Sequence, residues 1–216
     1  MISSFAVFDT KEAINRPLAF SIFVISSIQS IRSNSSSIFS SIFEIHIMIV
    51  VKAEQLARTA HQGQFRKYTG EPYIVHPEAV ANIVASVTDD PVMLAAAWLH
   101  DVVEDTNVTI DMIEAGFGPE IASVVADVTN ITKKSDGNRQ YRKGIERQHL
   151  AGASPKAKTV KLADILHNVP DIIRNDPGFA RTYVAEKQAV LEVLIGGDER
   201  LYAAAKQMID EFVRSC

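Results

Sequence analysis

Cysteine is almost absent from this chain of 216 residues, the single thiol being Cys216 at its very end. One thiol cannot form an internal disulfide or build a thiolate zinc cluster, so a reducing, cytoplasmic setting is expected. A basic excess is missing as well. With 22 Lys and Arg against 26 Asp and Glu the formal net charge is −4, which argues against a nucleic-acid-binding surface, because that needs cations to displace phosphate counterions. Any phosphate handled here is expected on a small molecule. Long apolar runs are lacking too. The uncharged stretch from Pro17 to Ile31 is interrupted by serines and falls short of the roughly 20 apolar residues a membrane span needs, so no membrane partner is expected. Finally, no segment alternates with period two, which removes the signature of a half-buried strand.

What is present is helical periodicity. KAEQLARTAHQ, PEAVANIVASV, DPVMLAAAWLHDVVEDT, TIDMIEAGFGPEIASVVADVT, residues 138–150, SPKAKTVKLADILHNV and ARTYVAEKQAVLEVLIGGDERLYAAAKQMIDEFV space their apolar residues by three and four, which predicts an all-α fold. Asp90 and Ser154 suit helix caps, and Pro77 and Pro91 suit first turns. Pro77 should also bias His76 toward an extended backbone at a helix mouth. Residues 1–47 differ from the rest, being rich in Ser, Ile and Phe. They are expected to be a leader outside the functional chain, which would occupy residues 48–216.

One stretch breaks the apolar pattern. In WLHDVVEDT, a continuous helix would set His100, Asp101, Glu104 and Asp105 along one stripe. Three clustered carboxylates repel one another, and no Lys or Arg occurs from Pro91 to Glu120. A solvent-facing stripe would explain an isolated His-Asp pair, and a surface ion pair would explain Asp164 beside Lys161. Taken together, however, His76, His100, Asp101 and Asp164 form two imidazoles and two carboxylates able to hold one divalent ion. Such a shell suits Mn²⁺ or Fe²⁺ and leaves positions for water or substrate. Glu104 and Asp105, one turn further on, could orient that water, take its proton or protonate a leaving group. Arg66, Lys67 and Lys161, with Arg139, Arg142 and Lys143, are a supply of phosphate-binding groups, although each alone reads as a solvated charge.

FRKYTGEPYIVHP, WLHDVVEDT and VKLADILHN, in this order, resemble the HD-domain hydrolases of the RelA/SpoT type in their small stand-alone form. The resemblance spans about residues 51–213. It implies an HD-type helical bundle and a manganese-dependent 3′-pyrophosphohydrolase of the guanine nucleotide (p)ppGpp. It also implies His76, His100, Asp101 and Asp164 as ligands of one Mn²⁺, Glu104 and Asp105 as the catalytic acids, and Arg66, Lys67, Lys161 and Asn168 as substrate contacts. The chain departs from the family after Asn168, where Val169-Pro170-Asp171 replaces a common Arg-Thr or Arg-Ser pair, and Pro170 is expected to end or kink its helix. Two other readings stay open: a phosphatase of another nucleotide, such as a phosphorylated dinucleotide cofactor, and a non-catalytic nucleotide sensor.

Overall fold

The computed structural model describes residues 37–215, which form helices α1 (Ser37–Ala60), α2 (Val75–Ala85), α3 (Pro91–Leu99), α4 (Val102–Asp105), α5 (Ile110–Phe117), α6 (Pro119–Val128), α7 (Arg139–Ala151), α8 (Pro155–Asn175), α9 (Pro177–Leu191) and α10 (Glu199–Ser215), with a 3₁₀ turn at Lys134–Asp136. Among the described residues the only extended pairing is an isolated bridge between Phe65 and Pro72. The all-α expectation holds. None of these helices is long and apolar enough to cross a membrane.

Local chemistry explains the helix starts. Asp90 accepts a hydrogen bond from the Val92 amide, with Pro91 in the first turn, and Ser154 does the same for Ala157. Each cap satisfies an amide that has no intrahelical partner and contributes about 1 kcal/mol. Gly118, at φ 87°, separates α5 from α6, so the expected segment 109–129 is two helices. The segment 180–213 also divides, at the turn between Leu191 and Glu199.

α3 is apolar on every side, and Met93 through Leu99 are all buried. Such a helix has to sit inside a bundle, and α3 packs against α1, α2, α6 and α8. α8 is the other organising helix, touching α2, α3, α6, α9 and α10. Its Leu162 and Ile165 are fully buried along with Leu99 of α3 and Ile113 of α5, each burial contributing about 1.5–3 kcal/mol.

Three local expectations are corrected. His76 is helical, lying in the first turn of α2 with its amide bonded to the Tyr73 carbonyl at 2.9 Å. Pro77 is accommodated there because a first-turn amide has no helical acceptor to lose. The stretch from residue 90 to 106 is interrupted after Leu99 and resumes at Val102. Pro170 does not end α8, which continues to Asn175. Proline forfeits the bond to the Leu166 carbonyl, but Val169 and Ile173 on either side pack into the core and carry the helix across the gap. The leader expectation falls mostly on residues 1–36, outside the described residues. α1 itself runs across the compositional boundary near Met48, and Val50 is the first buried residue among its described side chains.

Candidate metal centre

The break after Leu99 shapes the site. On a continuous helix neighbouring side chains diverge by about 100°, so the expected single stripe would leave His100 and Asp101 on divergent bearings. Here Asp101 adopts φ −101°, ψ −8° between α3 and α4, and its Oδ2 comes to 3.2 Å from His100 Nε2. From α2, His76 Nε2 lies 3.2 Å from His100 Nε2 and 3.2 Å from Asp101 Oδ2. α8 contributes Asp164, whose Oδ1 is 3.4 Å from His76 Nε2 and 4.0 Å from His100 Nε2. Both imidazoles and Asp164 are buried. The four side chains singled out for a metal thus converge from three parts of the fold.

The far side of each imidazole determines what its near side can do. His100 Nδ1 lies 2.8 Å from the Ala97 carbonyl, which only accepts, so Nδ1 carries a proton and the Nε2 lone pair of the neutral ring faces the cluster. His76 Nδ1 lies 2.8 Å from His167 Nδ1. Burial, with His76 and Arg66 nearby, pulls the His167 pKa down to about 3, so His167 is neutral and its Nδ1 can accept from His76. That leaves His76 Nε2 as a second inward lone pair. His76, His100 and Asp101 bring their ligand atoms within 4.8 Å of one another, Asp164 Oδ1 approaches the two imidazoles from the other side, and this set of two nitrogens and two carboxylates fits a divalent cation. With no cation a proton stands in for it: burial pushes His100 down, but Asp101 and Asp164 outweigh burial and raise its pKa to about 9. Against burial, His100 holds the Asp101 carboxyl well below its ordinary range, and Lys161 does so for Asp164.

The surrounding residues hold these groups in place. Tyr73 donates to Asp101 Oδ2 at 2.7 Å. Lys161 Nζ lies 2.9 Å from Asp164 Oδ2, leaving Oδ1 turned to the imidazoles, and Asn168 Nδ2 donates to Asp164 Oδ1. Arg66 Nη2 donates to Asn168 Oδ1 at 3.0 Å and to Asp171 Oδ2 at 2.9 Å, so Arg66 and Asn168 sit together beside the cluster. The loop that delivers Arg66 closes through Gly70, whose amide bonds the Arg66 carbonyl at 3.1 Å with φ at 70°, a value that favours glycine. Lys67 turns away instead, 75% exposed, toward Tyr68 and Asp176.

Glu104 and Asp105 are exposed as whole residues on α4, but neighbouring side chains crowd their carboxyl ends and keep water partly away from them. Glu104 accepts from both the backbone amide and the side-chain amide of Asn130. Loss of water raises its pKa against the pull of Lys161, and loss of water together with Asp101 raises that of Asp105. Asn130 is itself positioned through its neighbours, since the buried Glu146 of α7 accepts from the Ile131 and Thr132 amides. Arg139 is taken by Glu186 at 2.6 Å, and Arg142 donates to the Gly137 carbonyl.

Sequence reasoning gave no role to Tyr73, Asn130, Glu146 or His167. Tyr73 and His167 stand inside motifs already singled out, so their proximity was available as a signal. Asn130 and Glu146 have none, since they act through a loop 26 residues from Glu104.

The family model described as HD domain matches residues 53–194. A probable guanosine-3′,5′-bis(diphosphate) 3′-pyrophosphohydrolase of Synechocystis is 39% identical over 68% of this chain, which spans only 20% of that protein's length. The mouse guanosine-3′,5′-bis(diphosphate) 3′-pyrophosphohydrolase MESH1 is 37% identical over 75% of this chain and 93% of its own. The solved structure of a metazoan orthologue of SpoT that hydrolyses ppGpp has a TM-score of 0.68 and 31% identity, covering 76% of this chain and 94% of that one.

Proposed function

The chain belongs to the HD-domain family, and from that premise we propose that it is a metal-dependent hydrolase that removes the 3′-pyrophosphate of (p)ppGpp, leaving GDP or GTP. One observation carries the reading: His76 of α2, His100 and Asp101 at the α3–α4 break and Asp164 of α8 turn their ligand atoms toward one another, with the imidazole and carboxylate atoms 3.2–4.0 Å apart. It is supported by the mouse and metazoan relatives, which are named for this activity and share most of the chain.

In this reading His76, His100, Asp101 and Asp164 hold one Mn²⁺. A divalent ion in such a shell supplies Lewis-acid activation of water near neutral pH. The protein's own groups perform the remaining steps. Glu104, steadied by Asn130, takes a proton from the attacking water, and its raised pKa suits it to pass that proton to the leaving oxygen. Asp105 assists from the adjacent position by orienting the water. Arg66 and Asn168 face the nucleotide, Lys67 reaches its phosphates only by swinging round from its outward position on the loop, and Lys161 keeps Asp164 ionised while adding positive charge for the phosphoryl oxygens. The substrate is a small guanine nucleotide, and the expected setting is cytoplasmic.

The deciding experiment follows the products formed from ppGpp with and without Mn²⁺. GDP and pyrophosphate released only with the ion are expected. Intact ppGpp, together with phosphate released from a phosphorylated dinucleotide, would move the chain to the other nucleotide reading.

A further inference from the structure

Beside the metal centre lies a cavity of about 530 Å³, walled by α7 and α9 and reaching the centre at Lys161 and Asn130. Its size falls within the roughly 300–1,000 Å³ usual for small-molecule pockets. Four cations line it: Lys143, Arg147, Lys161 and Lys187. Its two carboxylates are already engaged, Glu146 with the Ile131 and Thr132 amides and Glu186 with Arg139. Lys161 is paired with Asp164. Among the described residues, Lys143, Arg147 and Lys187 carry no ion pair to a carboxylate.

Lys187 contacts the face of Tyr183, its Nζ 4.8 Å from the ring centroid. Burial, reinforced by the charge of Lys161, pulls its pKa down to about 8, and burial also lowers that of Lys143. Four cations against two carboxylates that are already engaged elsewhere leave this partly dry pocket with an excess of positive charge, which an anion would offset.

We propose that this cavity is a phosphate-binding subsite continuous with the metal centre, in which Lys143 and Lys187 receive a diphosphate group. The assignment rests on the hydrolase reading. A diphosphate reaches the cavity from either of two sources, the 5′-diphosphate of the bound nucleotide or the pyrophosphate that hydrolysis releases. Neither lysine touches the metal-facing atoms, so both select and hold substrate rather than take part in bond cleavage.

The test is calorimetric titration of the full, metal-free chain with GDP and, separately, with sodium pyrophosphate. Lys187→Gln and Lys143→Gln, on opposite walls, are each expected to weaken at least one probe about ten-fold or more, and Lys187→Arg to retain most of the affinity. Weakened GDP binding identifies the 5′-diphosphate as the occupant, and weakened pyrophosphate binding alone identifies the leaving group. Unchanged affinity for both probes in both glutamine variants, or no binding of either by the wild type, overturns the proposal. The hydrolase reading fails separately, if the wild type leaves ppGpp intact while probe binding still depends on the two lysines.

Discussion

α3 and α8 approach the candidate metal centre with opposite local instructions. Beyond Pro91, the sequence from α3 into α4 contains neither proline nor glycine, yet the helix is interrupted after Leu99. α8 carries Pro170 in its interior and runs unbroken to Asn175. Intrinsic propensity would have given the reverse, since proline costs about 3 kcal/mol inside a helix. What separates the two is the work done by the side chains. The interruption lets the adjacent His100 and Asp101 aim at one point. Continuity in α8 keeps Lys161, Asp164 and Asn168 on one stripe while Val169 and Ile173 stay in the core.

If the interruption exists to converge ligands, then removing one of them should have the largest effect. Asp101→Ala or His76→Ala is expected to abolish turnover and Mn²⁺ retention together, measured by product assay and metal analysis of the same preparation. Full occupancy in either variant would dissociate the break from metal binding. Glu104→Gln tests the α4 side of the break, and kcat should fall about 10²- to 10⁴-fold while the metal stays bound. On the α8 side, His167→Phe removes the acceptor that fixes the His76 tautomer. Mn²⁺ affinity should drop about 10- to 100-fold by calorimetry, and His167→Asn should recover part of it; equal affinity in all three proteins would make His167 a packing residue. The smallest effect is expected from Pro170→Ala. If core contacts already carry α8 past the lost hydrogen bond, urea denaturation should show a gain of only about 1 kcal/mol; the full ~3 kcal/mol of an interior proline would mean the helix is strained there.

Much of this arrangement was legible in the chain. Helical spacing gave the all-α class, and His76, His100, Asp101 and Asp164 stood out because their chemistry was coherent only as a set. The break after Leu99 was not legible, because no residue in HDVV is a helix breaker and the cause is tertiary. The motifs that hold Tyr73 and His167 were in view, but which partner each one meets was not. Tyr73 meets Asp101 across 28 residues and His167 meets His76 across 91, while local periodicity reports only on neighbours three or four apart. Pro170 was legible as a breaker and misleading as one, since propensity is a weak prior once a flanking core decides the matter.

The three-way origin of the candidate metal centre also bears on folding equilibrium. His76 and His100 are 24 residues apart in the chain, and Asp164 enters from a helix later still. An ion held by these side chains would close two loops that are open in the unfolded chain, acting as a reversible cross-link. Binding the folded state alone, such an ion would raise stability with free metal, by about 2.7 kcal/mol at a hundred times the dissociation constant. The metal supply would then set how much of the chain is folded as well as how fast it turns over.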